Sequence, residues 1–156
     1  MEKSFYLKSL DDTKRFATLL ARCSREGDIF LLNGDLGTGK TTFVKAFSKA
    51  LGFDEQDITS PSFTLVNVYD KPVRLLHADL YRLGKGADLF TLGIEEYIDK
   101  GYISLIEWAQ YLDERPEEQT LTLTFKFKDL SALNERIITL FTTDPLWEKR
   151  ISDLEL

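Results

Sequence analysis

The pattern of hydrophobic and polar residues in the first third of the chain predicts alternating strands and helices. Ser4–Leu7 suits a short strand, and apolar residues at helical spacing within Leu10–Arg25 predict an amphipathic helix. The nearly continuous apolar run in Asp28–Asn33 is typical of a strand buried on both faces, as in a parallel sheet. From Lys40 onward, apolar residues on one face predict a second helix that ends before Gly52. This alternation indicates an α/β layered domain.

The middle of the chain is more irregular. Phe63–Tyr69 and Val73–Asp79 flank a short Pro-containing connection, which predicts a β-hairpin. Gly84–Lys100 contains several glycines and scattered apolar residues, and we expect short helices there. Tyr102–Ile106 is a further strand of the buried type.

The last third of the chain predicts two strands and a helix. Strict alternation of apolar and polar residues over Leu121–Phe127 indicates a half-buried strand. Glu135–Thr142 is its expected antiparallel neighbour, and Pro145–Leu156 suits a final amphipathic helix. The sequence shows no repeat and no domain boundary, so we predict a single domain over residues 1–156.

A glycine-rich motif separates the second predicted strand from the second predicted helix. Residues 34–41 read GDLGTGKT and satisfy G-x-x-x-x-G-K-[ST] in the strand–turn–helix context that this pattern requires. Successive N–H groups of such a loop, with the helix dipole behind them, bind phosphate oxygens. The lysine would reach the β- and γ-phosphates, and the hydroxyl of Thr41 would ligate Mg²⁺. The predicted nucleotide-binding residues here are Gly34, Asp35, Leu36, Gly37, Thr38, Gly39, Lys40, Thr41 and Thr42. The elements and the motif together predict a P-loop NTPase-like three-layer sandwich, with a mixed, largely parallel central sheet and helices on both faces.

Two acidic residues follow apolar strands and are candidates for the catalytic side of this site. Glu107 ends one such run and has the form of a Walker-B acid, and Asp79 ends another. Ligands of open α/β sheets bind at the carboxyl ends of the strands, where both acids would project. We therefore predict Glu107, Asp79 and Lys40 as catalytic residues, and Thr41, Glu107 and Asp79 as metal ligands. Either acid taken alone would also suit a solvated strand end, and Trp108 suits either the core or the site.

Three further features allow two interpretations each. Arg82 would serve as a phosphate-stabilising finger or as a surface residue in a salt bridge, and His77 suits a packed, hydrogen-bonded histidine better than a catalyst. The loop Thr59–Thr64 lies where a switch-like segment could sense the γ-phosphate through its hydroxyl groups, although its Ser-Pro-Ser core alone indicates only a turn.

Composition narrows the class of protein. The chain has 156 residues, of which 43% are hydrophobic, which is ample for a buried core, and a net charge of −6 argues against broad nonspecific nucleic-acid binding. The single cysteine, Cys23, excludes an internal disulfide and a multi-cysteine zinc site. No apolar run approaches the roughly 18 residues that span a bilayer, and the first residues lack the apolar segment of a secretory signal. We expect a cytoplasmic protein with no membrane partner.

Downstream of the P-loop, the motifs occur in the order known from one family. Ser60–Thr64 reads SPSFT, His77–Arg82 reads HADLYR, Leu92–Glu96 reads LGIEE, and Ile106–Trp108 reads IEW. With the P-loop, these segments resemble the TsaE (formerly YjeE) family, the small P-loop ATPases of tRNA N6-threonylcarbamoyladenosine (t6A) biosynthesis. The resemblance covers roughly Phe5–Phe127, and the His-x-Asp-Leu-Tyr-Arg and Glu-Trp segments are far more specific than a P-loop alone.

The resemblance implies a function and a set of residue roles. TsaE-like proteins bind ATP and Mg²⁺, hydrolyse ATP slowly alone, and act with TsaB and the transferase TsaD, so that tRNA is reached indirectly through the partner complex. Carried over to this chain, residues 37–42 form the phosphate cradle and Thr41 and Glu107 hold magnesium. Asp79 lies near the γ-phosphate or the metal, and Trp108 lines the site. Ser9 and Thr13 at the start of the first helix, and Arg136 on a late strand, are the candidates for contact with adenine.

Three other functions compete with this one. A small-molecule P-loop kinase would need an acceptor pocket and usually a basic lid, whereas the segment DERPEEQ after Glu107 is acidic. A GTPase would read guanine with an Asn-Lys-x-Asp segment, which this sequence lacks. A nucleotide-sensing interaction module with incidental hydrolysis differs from the ATPase only in whether partners stimulate its hydrolysis.

Overall fold

A mixed seven-stranded sheet organises the part of the chain that this computed structural model describes, residues 1–61 and 63–156. The strands run in the spatial order β1-β7-β6-β2-β5-β4-β3. They are β1 (Glu2–Leu7), β2 (Ile29–Asn33), β3 (Val66–Tyr69), β4 (Leu75–Asp79), β5 (Ile103–Glu107), β6 (Thr120–Phe127) and β7 (Arg136–Phe141). The helices are α1 (Leu10–Cys23), α2 (Lys40–Ala50), α3 (Ile94–Asp99) and α4 (Pro145–Ser152). The predicted α/β fold is confirmed.

The centre of the sheet is parallel and its margins are antiparallel. Strands β6, β2, β5 and β4 pair in parallel. On one side β7 pairs antiparallel with both β6 and β1, and on the other side β3 pairs antiparallel with β4. The carboxyl ends of the four central strands therefore share one edge, and the amino end of β7 lies at that same edge.

Side chains pack on both faces of the sheet. On one face, Phe16 of α1, Phe47 of α2 and Trp147 of α4 belong to the larger buried cluster. On the opposite face, Ile94 of α3 and Trp108 belong to a second cluster. Burying a large apolar side chain contributes about 1.5–3 kcal/mol. These two cores hold the predicted three layers together.

Helix α1 ends two residues earlier than predicted, at Cys23 instead of Arg25. The N–H group of Arg25 donates to the carboxylate of Asp28 at 2.6 Å, so this residue cannot continue the helix. Asp28 is itself buried and accepts two hydrogen bonds from Arg150 of α4, at 2.7 and 3.0 Å. Strand β2 begins at Ile29 and not at Asp28, because the N–H group of Asp28 donates to the carbonyl oxygen of Arg25 at 3.1 Å.

The predicted β-hairpin forms with shorter strands. Strand β3 begins at Val66 instead of Phe63 because Leu65 adopts a left-handed backbone (φ 67°) and its N–H group donates to the carbonyl of Pro61. Strand β4 begins at Leu75 instead of Val73. In the Gly84–Lys100 segment α3 is the one α-helix, and the other residues there form turns and irregular structure.

The remaining elements lie within one or a few residues of their predicted bounds. Strand β5 extends through Glu107, which places this carboxylate on the sheet and not in the following turn. None of the helices in residues 1–61 and 63–156 is long and apolar enough to cross a membrane. That the chain forms a single domain stays a prediction.

Candidate functional site

The P-loop lies at the edge of the sheet where β2, β4 and β5 end. There a cleft of about 230 Å³ is lined by Leu36, Gly37, Thr38, Gly39, Lys40, Thr41, Thr42, Asp79, Glu107 and Trp108. A larger cleft, of about 540 Å³, lies elsewhere and is lined by several acidic side chains, including Glu95, Asp99 and Glu118. That cleft has no cation to bind a phosphate, so the P-loop cleft is the candidate site.

Two glycines are required by the shape of the loop. A Cβ atom on Gly34 would lie 2.8 Å from the carbonyl oxygen of Phe125 on β6 and 2.7 Å from the hydroxyl of Thr38. Gly39 caps α2 with φ 105°, a backbone conformation that side chains other than hydrogen rarely adopt. The loop therefore packs directly against β6 and turns sharply into the first turn of α2.

Lys40 extends its ammonium group into the loop. Its Nζ donates to the carbonyl oxygens of Gly34 and Asp35, and it lies 4.3 Å from the centre of the Trp108 ring. Burial lowers the pKa of Lys40, and this shift is opposed by the nearby carboxylates, with Glu107 contributing most. The ammonium group thus lies within the cradle that would surround the β- and γ-phosphates.

The predicted metal ligands converge from α2, β4 and β5. The hydroxyl of Thr41 donates to Oε1 of Glu107 at 3.4 Å. Asp79 and Glu107 are register partners on the adjacent parallel strands β4 and β5, so their side chains lie side by side on the same face. Burial raises the pKa of Asp79, and the negative charge of Glu107 adds to that shift. Two carboxylates and a hydroxyl are hard oxygen ligands of the kind that Mg²⁺ prefers.

These residues suit a magnesium ion that takes most of its ligands from phosphate and water. The described residues contain no group of three or more His, Cys, Asp and Glu side chains that could hold a metal alone. Mg²⁺ in nucleotide sites is usually bound by one or two protein carboxylates together with substrate phosphates. The donor set of Thr41, Glu107 and Asp79 fits that arrangement.

His77 contacts Glu107 directly. Its Nε2 lies 2.6 Å from Oε2 of Glu107, and the two residues are 1% and 3% exposed. His77 is thus the packed, hydrogen-bonded histidine that the sequence favoured, and its partner is a candidate metal ligand. The sequence spacing indicates only that His77 shares a face with Asp79, because the two residues are two positions apart on one strand.

Trp108 lies between the P-loop lysine and two tyrosines. The ring of Tyr111 stacks on it at 5.3 Å and that of Tyr81 packs against it at 4.8 Å, between ring centroids. Its own backbone is left-handed, with φ 58°. This turn directs the chain away from Glu107 while the indole covers Lys40, so Trp108 lines the site and also belongs to the core.

The three residues that the family resemblance suggests for adenine binding do not line the cleft. Ser9 caps α1 by accepting from the N–H group of Asp12, and the hydroxyl of the buried Thr13 donates to the carbonyl of Ser9 at 3.5 Å. Arg136 reaches the P-loop from the outside and donates to its carbonyl groups. Their contact with adenine stays a prediction.

The loop proposed as a switch-like segment ends beside Asp79. The N–H group of Asp79 donates to the carbonyl of Leu65 at 3.0 Å, which joins the residue after the predicted loop to β4. Ser62, within this predicted segment, lies outside the described residues. The guanidinium of Arg82 lies over the ring of Phe63, 5.7 Å from its centre.

Comparisons with known proteins agree with this architecture. Residues 7–137 match the family model described as TsaE, threonylcarbamoyl adenosine biosynthesis protein. The tRNA threonylcarbamoyladenosine biosynthesis protein TsaE of Treponema pallidum is 38% identical over 119 residues, which cover 76% of this chain and 87% of that protein. The protein of the same name from Bacillus subtilis is 37% identical over 117 residues, or 74% of this chain and 72% of that protein. The crystal structure of Bacillus subtilis YdiB superimposes with a TM-score of 0.77 at 30% identity, and covers 98% of this chain and 93% of that one.

Proposed function

From the premise that the chain belongs to the TsaE family of threonylcarbamoyl adenosine biosynthesis proteins, we propose that it is a Mg²⁺-dependent ATPase of tRNA t6A modification. Its ATP hydrolysis acts on the TsaB–TsaD transferase complex, and tRNA is reached through that complex.

The observation that carries this proposal is the convergence of four side chains on one small cleft. Lys40 and Thr41 come from the P-loop, Asp79 from the end of β4, and Glu107 from the end of β5. A nucleoside triphosphatase needs these parts: a cation for the phosphates, a hydroxyl and a carboxylate for Mg²⁺, and an acid near the γ-phosphate.

The P-loop binds the phosphates in this proposal. The ammonium group of Lys40 offsets the negative charge of the β- and γ-phosphates, and N–H groups of residues 36–41 donate to phosphate oxygens. Trp108 covers the ammonium from one side, which excludes water and strengthens its electrostatic interaction with a phosphate.

Thr41 and Glu107 would hold a magnesium ion, with Glu107 acting directly or through water, and Asp79 lies beside Glu107 on the neighbouring strand β4. When bound, Mg²⁺ supplies neutralisation of the charge that develops on the phosphate oxygens. General acids and bases work best when their pKa lies near the working pH. Burial raises the pKa of Asp79 and so shifts it in the direction of neutral pH.

Two sequence features support ATP and a macromolecular partner over the alternatives. The chain lacks the Asn-Lys-x-Asp segment with which GTPases bind guanine, which favours adenine. The segment after Glu107 is acidic, which is unsuited to a kinase lid over phosphates. An ATPase with a small open site is then best explained as a partner of another enzyme.

An ATPase assay tests the proposal. Hydrolysis is measured with the chain alone, with purified TsaB–TsaD, and with TsaB–TsaD plus tRNA, in the presence and absence of Mg²⁺. We expect slow Mg²⁺-dependent hydrolysis alone and a clear increase with the partners. Hydrolysis that the partners leave unchanged would favour a small-molecule kinase or a nucleotide-sensing module with incidental hydrolysis. Failure of the chain to bind ATP would contradict the nucleotide site itself.

A further inference from the structure

Arg136 at the start of β7 supports the outside of the P-loop. Its Nε donates to the carbonyl oxygen of Thr38 at 2.9 Å, and its Nη2 donates to the carbonyl oxygen of Gly37 at 3.2 Å. Its Nη1 donates to the carbonyl oxygens of Leu133 and Glu135, in the connection between β6 and β7. The guanidinium group therefore joins the phosphate loop to the C-terminal part of the sheet.

The orientation of these bonds matters for the phosphate side of the loop. In a trans peptide the C=O and N–H groups point in opposite directions. Because Arg136 binds the carbonyl of Thr38 from outside, the N–H group of Gly39 in the same peptide points away from Arg136. That N–H group belongs to the set that a P-loop directs toward phosphate oxygens. Arg136 thus fixes a donor without approaching the ligand.

Arg136 also brings a buried positive charge. It is 7% exposed, its guanidinium lies 4.3 Å from the centre of the Phe127 ring, and it makes no ion pair with an acidic side chain in residues 1–61 and 63–156. Most buried charges are paired with an opposite charge. The four bonds that Arg136 makes instead end on backbone carbonyls, two of them in the P-loop, so its charge is not cancelled beside the phosphate site.

We propose that Arg136 is a positioning residue of the phosphate cradle, which orients the Gly37–Gly39 backbone and adds an unpaired positive charge behind it. This inference rests on the proposed nucleotide binding and gives Arg136 a role directed at the phosphates and not at adenine.

The test compares the affinity of the full chain and its variants for two ligands, Mg²⁺-ATP and Mg²⁺-tripolyphosphate, by isothermal titration calorimetry. Arg136→Met removes both the hydrogen bonds and the charge. We expect it to weaken the binding of both ligands by about 10- to 100-fold, the range that corresponds to the loss of one hydrogen bond made by a charged group. Arg136→Lys keeps the charge but cannot span both carbonyl groups, and we expect an intermediate loss.

Arg150 provides a matched control, because its side chain is only 9% exposed and donates to backbone and to Asp28, at the opposite end of β2. Arg150→Met should lower the melting temperature while the affinity of the folded protein for both ligands stays that of the wild type. If Arg136 had a merely structural role, its variants would behave in the same way.

The outcomes separate the two hypotheses. Wild-type affinity in folded Arg136→Met, or in Arg136→Lys should the Met variant fail to fold, overturns this inference and leaves the proposed function intact. Weaker binding of ATP with unchanged binding of tripolyphosphate overturns it in favour of an adenine contact. A wild-type chain that binds neither ligand overturns the proposed function, and this inference with it.

Discussion

The hydrogen bond between His77 and Glu107 gives a quantitative test of how the candidate metal ligand is held. The donor and acceptor are 2.6 Å apart, and the two side chains are 1% and 4% exposed. A hydrogen bond to a charged group contributes about 1.5–3 kcal/mol net, and a buried carboxylate left without its donor carries a desolvation cost of similar size. We therefore expect His77→Leu to reduce the free energy of unfolding by about 2–3 kcal/mol, which lowers the melting temperature by roughly 4–12 °C for a chain of this length.

A double-mutant cycle isolates this interaction from the loss of packing. The variants are His77→Leu, Glu107→Met and the double variant, and their free energies of unfolding are measured by urea denaturation followed by circular dichroism. Each single variant leaves one buried polar group without its partner, whereas the double variant replaces both with apolar groups. The double variant should therefore be destabilised by at least about 1 kcal/mol less than the sum of the single variants.

Additive losses, within about 0.5 kcal/mol, would refute the reasoning, because residues that do not interact behave in that way. A second measurement addresses the function of the pair. At a temperature where His77→Leu is fully folded, the Mg²⁺ concentration that half-saturates ATP hydrolysis should rise about 10-fold or more, the usual effect of removing a residue that supports a metal ligand.

Four further substitutions test the site. Lys40→Ala should abolish ATP binding measured by calorimetry, since it removes the charge that faces the β- and γ-phosphates; wild-type affinity would contradict the P-loop assignment. Glu107→Ala should keep measurable nucleotide binding but stop ATP turnover and tRNA modification in a reconstituted assay. Normal modification by this variant would show that Glu107 has only a structural role. Gly34→Ala should reduce the free energy of unfolding by about 1–3 kcal/mol, the usual cost of overpacking, because its Cβ would lie 2.8 Å from the carbonyl oxygen of Phe125. An unchanged melting temperature would show that the loop can move to accommodate the added methyl group. The pKa of Asp79 is raised in the folded protein, so ionisation of this side chain reduces stability as the pH rises above about 3.8, the pKa of an aspartate in the unfolded chain. Asp79→Asn should therefore be more stable than the wild type at pH 7 but not at pH 3. If the stability difference between Asp79→Asn and the wild type did not depend on pH, burial of the charge would not be its cause.

Much of the fold followed from short-range patterns. The bounds of α2 were predicted from its apolar face and from Gly52, and β6 from alternation, because these signals depend on neighbouring residues alone. The end of helix α1 was not predicted correctly, and the segment that follows it depends on a distant partner. Beyond Cys23 the N–H group of Arg25 donates to Asp28, whose carboxylate is bound by Arg150, a residue 122 positions further along the chain.

The P-loop is the part of the site that could be predicted from the sequence alone. Its glycines, Lys40 and Thr41 lie in one short continuous segment, so their spacing in the sequence is enough to recognise the motif of a phosphate-binding loop. The two strand-end acids were also identified in the sequence, because an apolar run followed by a carboxylate marks the end of a strand where ligands of such sheets bind.

Which side chains meet around that loop was decided by the tertiary structure. His77 contacts Glu107 because β4 and β5 are neighbours in parallel register. Arg136 reaches the P-loop because β6 separates β2 from an antiparallel β7, which brings the start of β7 to the edge where β2 ends. Strand order and register arise from the packing of the whole sheet, and hydrophobic periodicity within one segment carries no information about either.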